Sequence, residues 1–365
     1  MVVRVKSTDG VPGDRAESAL TEPGRTSSLL LIADPGVPAA LAERIADSLA
    51  DELAEPVNSS PRWDISVRAK PFLPDEHATF REVIESVNPS GEDAEVIVYL
   101  TDLPRREHTL PVIADVSLEH RFALVSVPGI GAAFVTRRVR DVVLLVIGEV
   151  TGQPELASER VKRLPRTQLP GTVRYFAPRG FRRVRLLAGM VRANRPWRLA
   201  TGLSRVLVGA FATGALGLVT STVWSFADTM GPWRLATATV LSIGAMMAWL
   251  ILDHELWERP KSSTERDRAR LYNLSTLITL LIGVAVQYVA LFFLLLVAAG
   301  VSLPPGLLAR EVGHPTGVAS YFLLAWLLAS IATVGGALGS GLEDDEVVRA
   351  AAYGARQRQR FDQSS

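Results

Sequence analysis

Two hydrophobic patterns divide the chain. Up to about residue 152, short β-rich apolar runs alternate with helical periods; beyond residue 205 the apolar positions merge into long stretches. The short runs are Leu29–Ala33, Ile65–Ala69, Val96–Leu100, Val112–Val116 and Phe122–Val127, bounded by turn residues, and they predict strands. Between them, Pro38–Leu53, Asp75–Val87 and Thr136–Val150 predict helices; Leu41, Ile45, Leu49 and Leu53 recur at spacing four and share one face. Strands alternating with helices predict a layered α/β unit. Only Ser117–Arg121 separates the last two strands. That is too short for a parallel crossover, so the expectation is an antiparallel hairpin within a mixed sheet.

The long stretches are residues 206–227, 235–252, 271–301 and 318–342. About 20 apolar residues cross the hydrocarbon of a bilayer, so these predict an all-α transmembrane bundle of four helices. The expected organisation is a flexible tail over 1–27, an α/β domain over 28–155, a basic juxtamembrane linker with an interfacial helix over 156–205, the bundle over 206–342, and a tail over 343–365. Residues 1–27 lack the apolar core of a signal peptide, so the α/β domain is expected in the cytoplasm.

Charge sharpens this division. Residues 1–159 carry a net −11 and residues 160–365 a net +12, and Arg160–Arg205 holds 13 Lys/Arg with no acid. Arg179, Arg182, Arg183, Arg185, Arg192 and Arg195 alternate there with Phe181, Val184, Leu187 and Val191, a pattern suited to anionic phospholipid headgroups. The loop 253–270 carries five Lys/Arg and the carboxyl-terminal tail four arginines, whereas 228–234 and 302–317 carry one arginine each. The positive-inside rule then puts both termini on the cytoplasmic side of a plasma (inner) membrane. The acidic first half argues against nucleic acid as a partner.

The 365 residues include no cysteine, which excludes disulfides, thiolate metal sites and cysteine nucleophiles. Hydrophobic residues form 48% of the chain, too many for a disordered protein. The spans carry no ionisable residue near mid-depth, and Gln287 is the one strongly polar side chain well inside them, expected in an interhelical hydrogen bond. Small residues recur at spacing four. Gly209, Thr213, Gly217 and Ser221 line the first span, and Ala329, Thr333, Ala337 and Gly341 line the fourth. Such stripes permit close helix packing, within one bundle or between protomers of a homo-oligomer.

The polar turns after predicted strands supply the candidate chemistry. Asp34, then Asp102, Arg105 and Arg106, then Gly129 and Gly131 leading to Arg137 and Arg138, all follow strands whose carboxyl ends can form one crevice. Arginines at a helix start suit a phosphate or carboxylate. Asp34 and Asp102 are equally expected as turn or cap residues. The string G-x-G-x-x-F has Phe134 where a dinucleotide turn has its third glycine, and no Walker A, HExxH or G-x-S-x-G string occurs. His254 and Glu258 share a face in HExxE without a visible third ligand, so neither a metal nor a cofactor is expected.

On the strings Val96–Pro104 (VIVYLTDLP), Glu255–Pro260 (ELWERP) and Arg270–Asn273 (RLYN), with the hairpin Pro111–Pro128, the whole chain resembles a family of uncharacterised actinobacterial four-span membrane proteins. Members are sometimes labelled methylene-tetrahydrofolate dehydrogenase, whose catalytic lysine motif and dinucleotide turn have no counterpart here. Residues 96–152 also resemble the layout of archaemetzincin-type zinc peptidases: TDLP after a strand, ALVSV at Ala123–Val127, then a helix. Where that family carries HExxH, this chain reads Leu144-Leu145-Val146-Ile147-Gly148-Glu149. The likeness therefore implies a non-catalytic relative. Three functional readings follow: a non-catalytic cytoplasmic sensing, scaffolding or regulatory domain; a membrane-tethered enzyme acting on a phosphorylated or lipid-borne substrate; and a transporter or channel subunit.

Overall fold

The computed structural model describes residues 27–54, 63–70, 78–107, 110–197, 199, 204–260 and 266–339. They fall into two compact units, one ending at Ala193 and the other beginning at Asn194. Both expected tails lie outside the described residues except for Ser27, as do Gly341 and the start of the helix expected from Asp75.

In the first unit, β1 (Ser27–Ala33), β2 (Trp63–Ala69), β3 (Val96–Thr101) and β6 (Phe122–Ser126) are parallel neighbours in the order β2-β1-β3-β6. The sheet continues antiparallel through β5 (Leu110–Ser117), β8 (Thr172–Phe176) and β7 (Arg166–Leu169), and the two-residue β4 (Arg106–Glu107) pairs with β5. It is a mixed sheet, with the β5–β6 hairpin in the place its short connection requires. The central strands are buried along nearly their whole length, so they read as continuous apolar runs.

Side chains of one parity, including Leu29, Leu31, Val96, Val98, Ala123 and Val125, form one core with Ile45 and Leu49 of α1 (Val37–Ala54) and Val139, Val143 and Val146 of α4 (Val135–Thr151). The opposite parity, Leu30, Ile32, Ile97, Tyr99, Phe122 and Leu124, is equally buried. On that side, Phe122 stacks on Phe80 of α2 (Phe80–Val87) at 5.9 Å between ring centroids. Thr79 caps α2 reciprocally with Glu82, a capping box that fixes its start.

The segment expected as a linker corrects the reading most. Residues 156–205 contribute α5 (Glu159–Lys162), β7 and β8 to the α/β unit, because Val173 and Tyr175 of β8 alternate into its interior between polar neighbours and Phe176 at its end is buried as well. The interfacial helix expected there is α6 (Arg182–Ala193), and its Leu186, Gly189, Met190 and Ala193 are buried against the domain. Gly189 makes the contact with α3 (Val127–Ile130): a Cβ on it would collide with the Pro128 carbonyl.

In the second unit, three helices are long and apolar enough to cross a membrane: α9 (Pro232–Asp253), α10 (Arg266–Ser302) and α12 (Val318–Gly339). The stretch expected as the first span is instead two helices, α7 (Ser204–Gly217) and α8 (Ser221–Thr229), bent by 92° at their junction. At 1.5 Å per residue the 14 residues of α7 reach about 21 Å. α11 (Pro305–Val312) precedes α12.

Small residues mediate packing of α7 on α12, on a face partly different from the expected stripe. Gly209 is open, with nothing near the Cβ it lacks, while Thr213 lies against Gly335, Ala210 and Val206 against Gly336, and Gly217 against Leu328. Ala329 and Thr333 are buried and Ser221 is half-buried. The side chain of Ala337 lies outside the described residues.

Candidate functional site

The carboxyl ends of β1, β3 and β6 bring Asp34, Thr101, Asp102 and Ser126 to one edge of the sheet, all buried. Asp34 accepts hydrogen bonds from the Tyr99 hydroxyl at 2.6 Å, the Thr101 hydroxyl at 2.7 Å and the Asp102 amide at 3.2 Å. Its own carbonyl accepts the Ala39 amide in the first turn of α1. Thr101 Oγ1 in turn accepts the Leu103 amide, and Ser126 Oγ donates to the Leu103 carbonyl at 2.7 Å. This is a knot that stitches two strand ends and a helix start. Tyr99 and Ser126 had no sequence signal beyond being polar groups in apolar strands, where a buried hydroxyl needs a partner.

Arg105 follows this edge but turns to Asp115 in β5. Its Nε lies 3.3 Å from Asp115 Oδ2, and a terminal nitrogen donates to the Ala78 carbonyl at 3.1 Å. Arg174 of β8 holds the other carboxylate oxygen at 2.5 Å and also reaches Glu107 at 3.3 Å. Burial holds the Arg105 pKa below the ordinary arginine value, with Asp115 opposing and Arg174 reinforcing the shift. Arg106 sits half-exposed in β4 with no ion pair among the described residues.

The glycines and arginines after β6 belong to a different neighbourhood. Gly129 is there for backbone approach, since a Cβ would sit 2.6 Å from the Val112 carbonyl. Gly131 has φ of +98° and lies under the Arg185 side chain of α6. Arg138 donates to the Ile130 carbonyl at 3.4 Å, and Arg137 is exposed. Neither forms an ion pair or hydrogen bond with Asp34 or Asp102. The expected crevice residues thus separate into the knot of Asp34 and Asp102, Arg105 joined through Asp115 to Arg174, Arg106 apart in β4, and the turn from Gly129 to Arg138.

Within the second unit the polar groups bond to one another. Trp326 Nε1 donates to Thr239 Oγ1 at 2.7 Å, and the Tyr288 hydroxyl lies 3.0 Å from Thr239 Oγ1 and 2.9 Å from Ser330 Oγ, tying α9, α10 and α12 together. Asn194 donates to Thr279 at 3.0 Å. Gln287, expected to bond between helices, is buried with no partner for its Oε1 among the described residues. Outside the long helices, His314 lies 2.8 Å from Asp228 of α8, and that carboxylate raises its pKa above the ordinary histidine value. The described residues contain no group of three metal-ligating side chains.

Compared with protein-family models, with curated proteins and with solved structures, the chain has no significant match.

Proposed function

We propose that the chain is an integral membrane protein whose α/β unit is a non-catalytic sensing, scaffolding or regulatory module on the cytoplasmic face of a bacterial plasma membrane. The observation that carries this reading is the Asp34 knot: a carboxylate at the sheet edge that accepts from Tyr99, Thr101 and Asp102 at once is engaged in holding strands together. The interior of the long helices supports it from the other side, since hydroxyl and indole groups bonded to each other are packing polar groups, and a charge pathway needs ionisable ones. Counting the bent pair α7–α8 as one passage makes four, and an even number keeps both termini on one side.

The test uses the full chain in nanodiscs. Thermal-shift and equilibrium-binding measurements against nucleotides, sugar phosphates and other phosphometabolites are expected to give no saturable binding. Saturable binding removed by Arg137→Ala or Asp102→Ala would replace this reading with that of a membrane-tethered enzyme, and ion flux from reconstituted protein would replace it with that of a channel.

A further inference from the structure

Two phenylalanines stand out on the surface of the α/β unit. Phe134, at the start of α4, and Phe181, at the start of α6, are 81% and 86% exposed, and both have left-handed backbone, at φ of 51° and 46°. A bulky non-glycine residue in that region is a true outlier, so the fold tolerates local strain at two places where a large apolar ring faces outward. The carbonyl of each accepts an amide from an arginine four residues on, Arg138 and Arg185 respectively.

These two helix starts are neighbours. The stem of Arg185 lies over Gly131, where a Cβ would come within 2.7 Å of Arg185 Cγ, and Gly131 is three residues from Phe134. Burial and the nearby Arg138 charge lower the pKa of Arg185. Neither arginine has a carboxylate partner among the described residues, and neither do Arg182 and Arg183; Arg182 Nε donates to the Pro178 carbonyl. Val184, one turn along α6 from Phe181, is 60% exposed. The opposite face of α6 is the one buried on the domain.

We infer that Phe134, Phe181 and Val184 form an apolar tip that inserts into an anionic phospholipid surface, with Arg138, Arg182, Arg183 and Arg185 seating the headgroup phosphates around it. The inference rests on the membrane-anchored reading and names the surface its α/β unit meets. Charge selects the occupant: a cluster of like charges without counter-ions is relieved by an anionic surface, and exposed aromatic rings among guanidinium groups suit the headgroup boundary. The sequence adds that α6 ends ten residues before the apolar helix α7, so this chain brings a bilayer of its own. The seat differs from an amphipathic helix lying flat, because α6 keeps its larger apolar face on the protein and offers only its first turn.

The chain has no cysteine, so Val184→Cys and, as a control on a distant turn, Glu119→Cys each accept a single nitroxide label. Full-length protein is reconstituted in vesicles of phosphatidylcholine alone or with phosphatidylglycerol, and collision with oxygen against a water-soluble nickel reagent reports immersion. The expected result is immersion of the label at 184 with phosphatidylglycerol, much less without it, and an aqueous label at 119 in both. Replacing arginine by glutamine at 138 or 185 should lower the docked-to-undocked ratio about fivefold per arginine. Phe134→Ser with Phe181→Ser should lower immersion while the thermal transition stays in place. An aqueous label at 184 in both lipids, or protection in both regardless of charge, overturns the inference. Failure of the anchoring reading looks different, since the protein would then leave the vesicles in alkaline carbonate.

Discussion

Arg105 donates its Nε–H to Asp115 across 3.3 Å, joining the turn after β3 to the middle of β5 at a carboxylate with no exposed side-chain surface. Arg174 occupies the other oxygen, so the carboxylate compensates two guanidinium groups. Breaking a buried pair from one side leaves uncompensated charge. Asp115→Ala should therefore destabilise the α/β unit by roughly 3–5 kcal/mol. Combining Asp115→Leu with Arg105→Met should recover much of that loss, because the remaining cation, Arg174, still has Glu107. Circular dichroism melts of the three proteins check the order.

Asp34 makes a parallel case at the edge of the parallel strands. Asp34→Ala removes the shared acceptor of the Tyr99 and Thr101 hydroxyls in a buried site and should cost about 1–3 kcal/mol. Tyr99→Phe removes one hydrogen bond and should cost about 1 kcal/mol. If Asp34→Ala left stability unchanged while removing binding of some ligand, the knot would be a site and not a structural element.

The glycines of the second unit separate contact from openness. Gly336→Ala would put a Cβ 2.9 Å from Ala210 Cβ and 3.2 Å from Val206 Cγ1, and should cost about 1–3 kcal/mol of bundle stability. Gly209→Ala meets nothing and should be neutral or slightly stabilising, since alanine favours the helix by about 1 kcal/mol. Denaturant unfolding in mild detergent, followed by tryptophan fluorescence, distinguishes the two.

Tyr175 donates to Glu149 at 2.5 Å, and burial together with that carboxylate raises its pKa to about 12. A raised folded-state pKa contributes stability that is fully present below the ordinary tyrosine value, near 10, and is lost as pH rises through about 12. Ultraviolet titration should show a tyrosine transition near pH 12, and Glu149→Gln should bring it down. Loss of folding below pH 10 traced to Tyr175 would contradict this assignment.

His314 follows the same sign at lower pH. Its pairing with Asp228 contributes below the ordinary histidine value, near 6.5, and fades as pH rises through the higher folded value. Carbon-13 shifts of labelled histidine should show this titration moving down in Asp228→Asn.

Much of the architecture was legible in residue order because it rests on local periodicity. Leu41, Ile45, Leu49 and Leu53 marked the buried face of α1, five residues between two apolar runs required the β5–β6 hairpin, and the long apolar runs marked α9, α10 and α12. Two features escaped because they depend on partners distant in the chain. Short β7 and β8 looked like linker because the four exposed residues of the edge strand β7 carry no apolar period, and β8 is placed by its pairing with β5, 55 or more residues earlier in the chain. The bend between α7 and α8 lies inside an unbroken apolar run, and composition carries no angle.

The candidate site shows the same boundary. Residue order placed Asp34, Asp102, Arg105 and Arg138 after strands, and it determined the charge division, the absence of cysteine and the apolar helices by itself. Which of those groups satisfy each other was decided only in three dimensions. Asp34 met Tyr99 and Thr101, Arg105 turned to Asp115, and Arg138 was left beside Arg185, because hydrogen bonds and ion pairs act over a few ångströms and link residues that the chain separates by tens of positions.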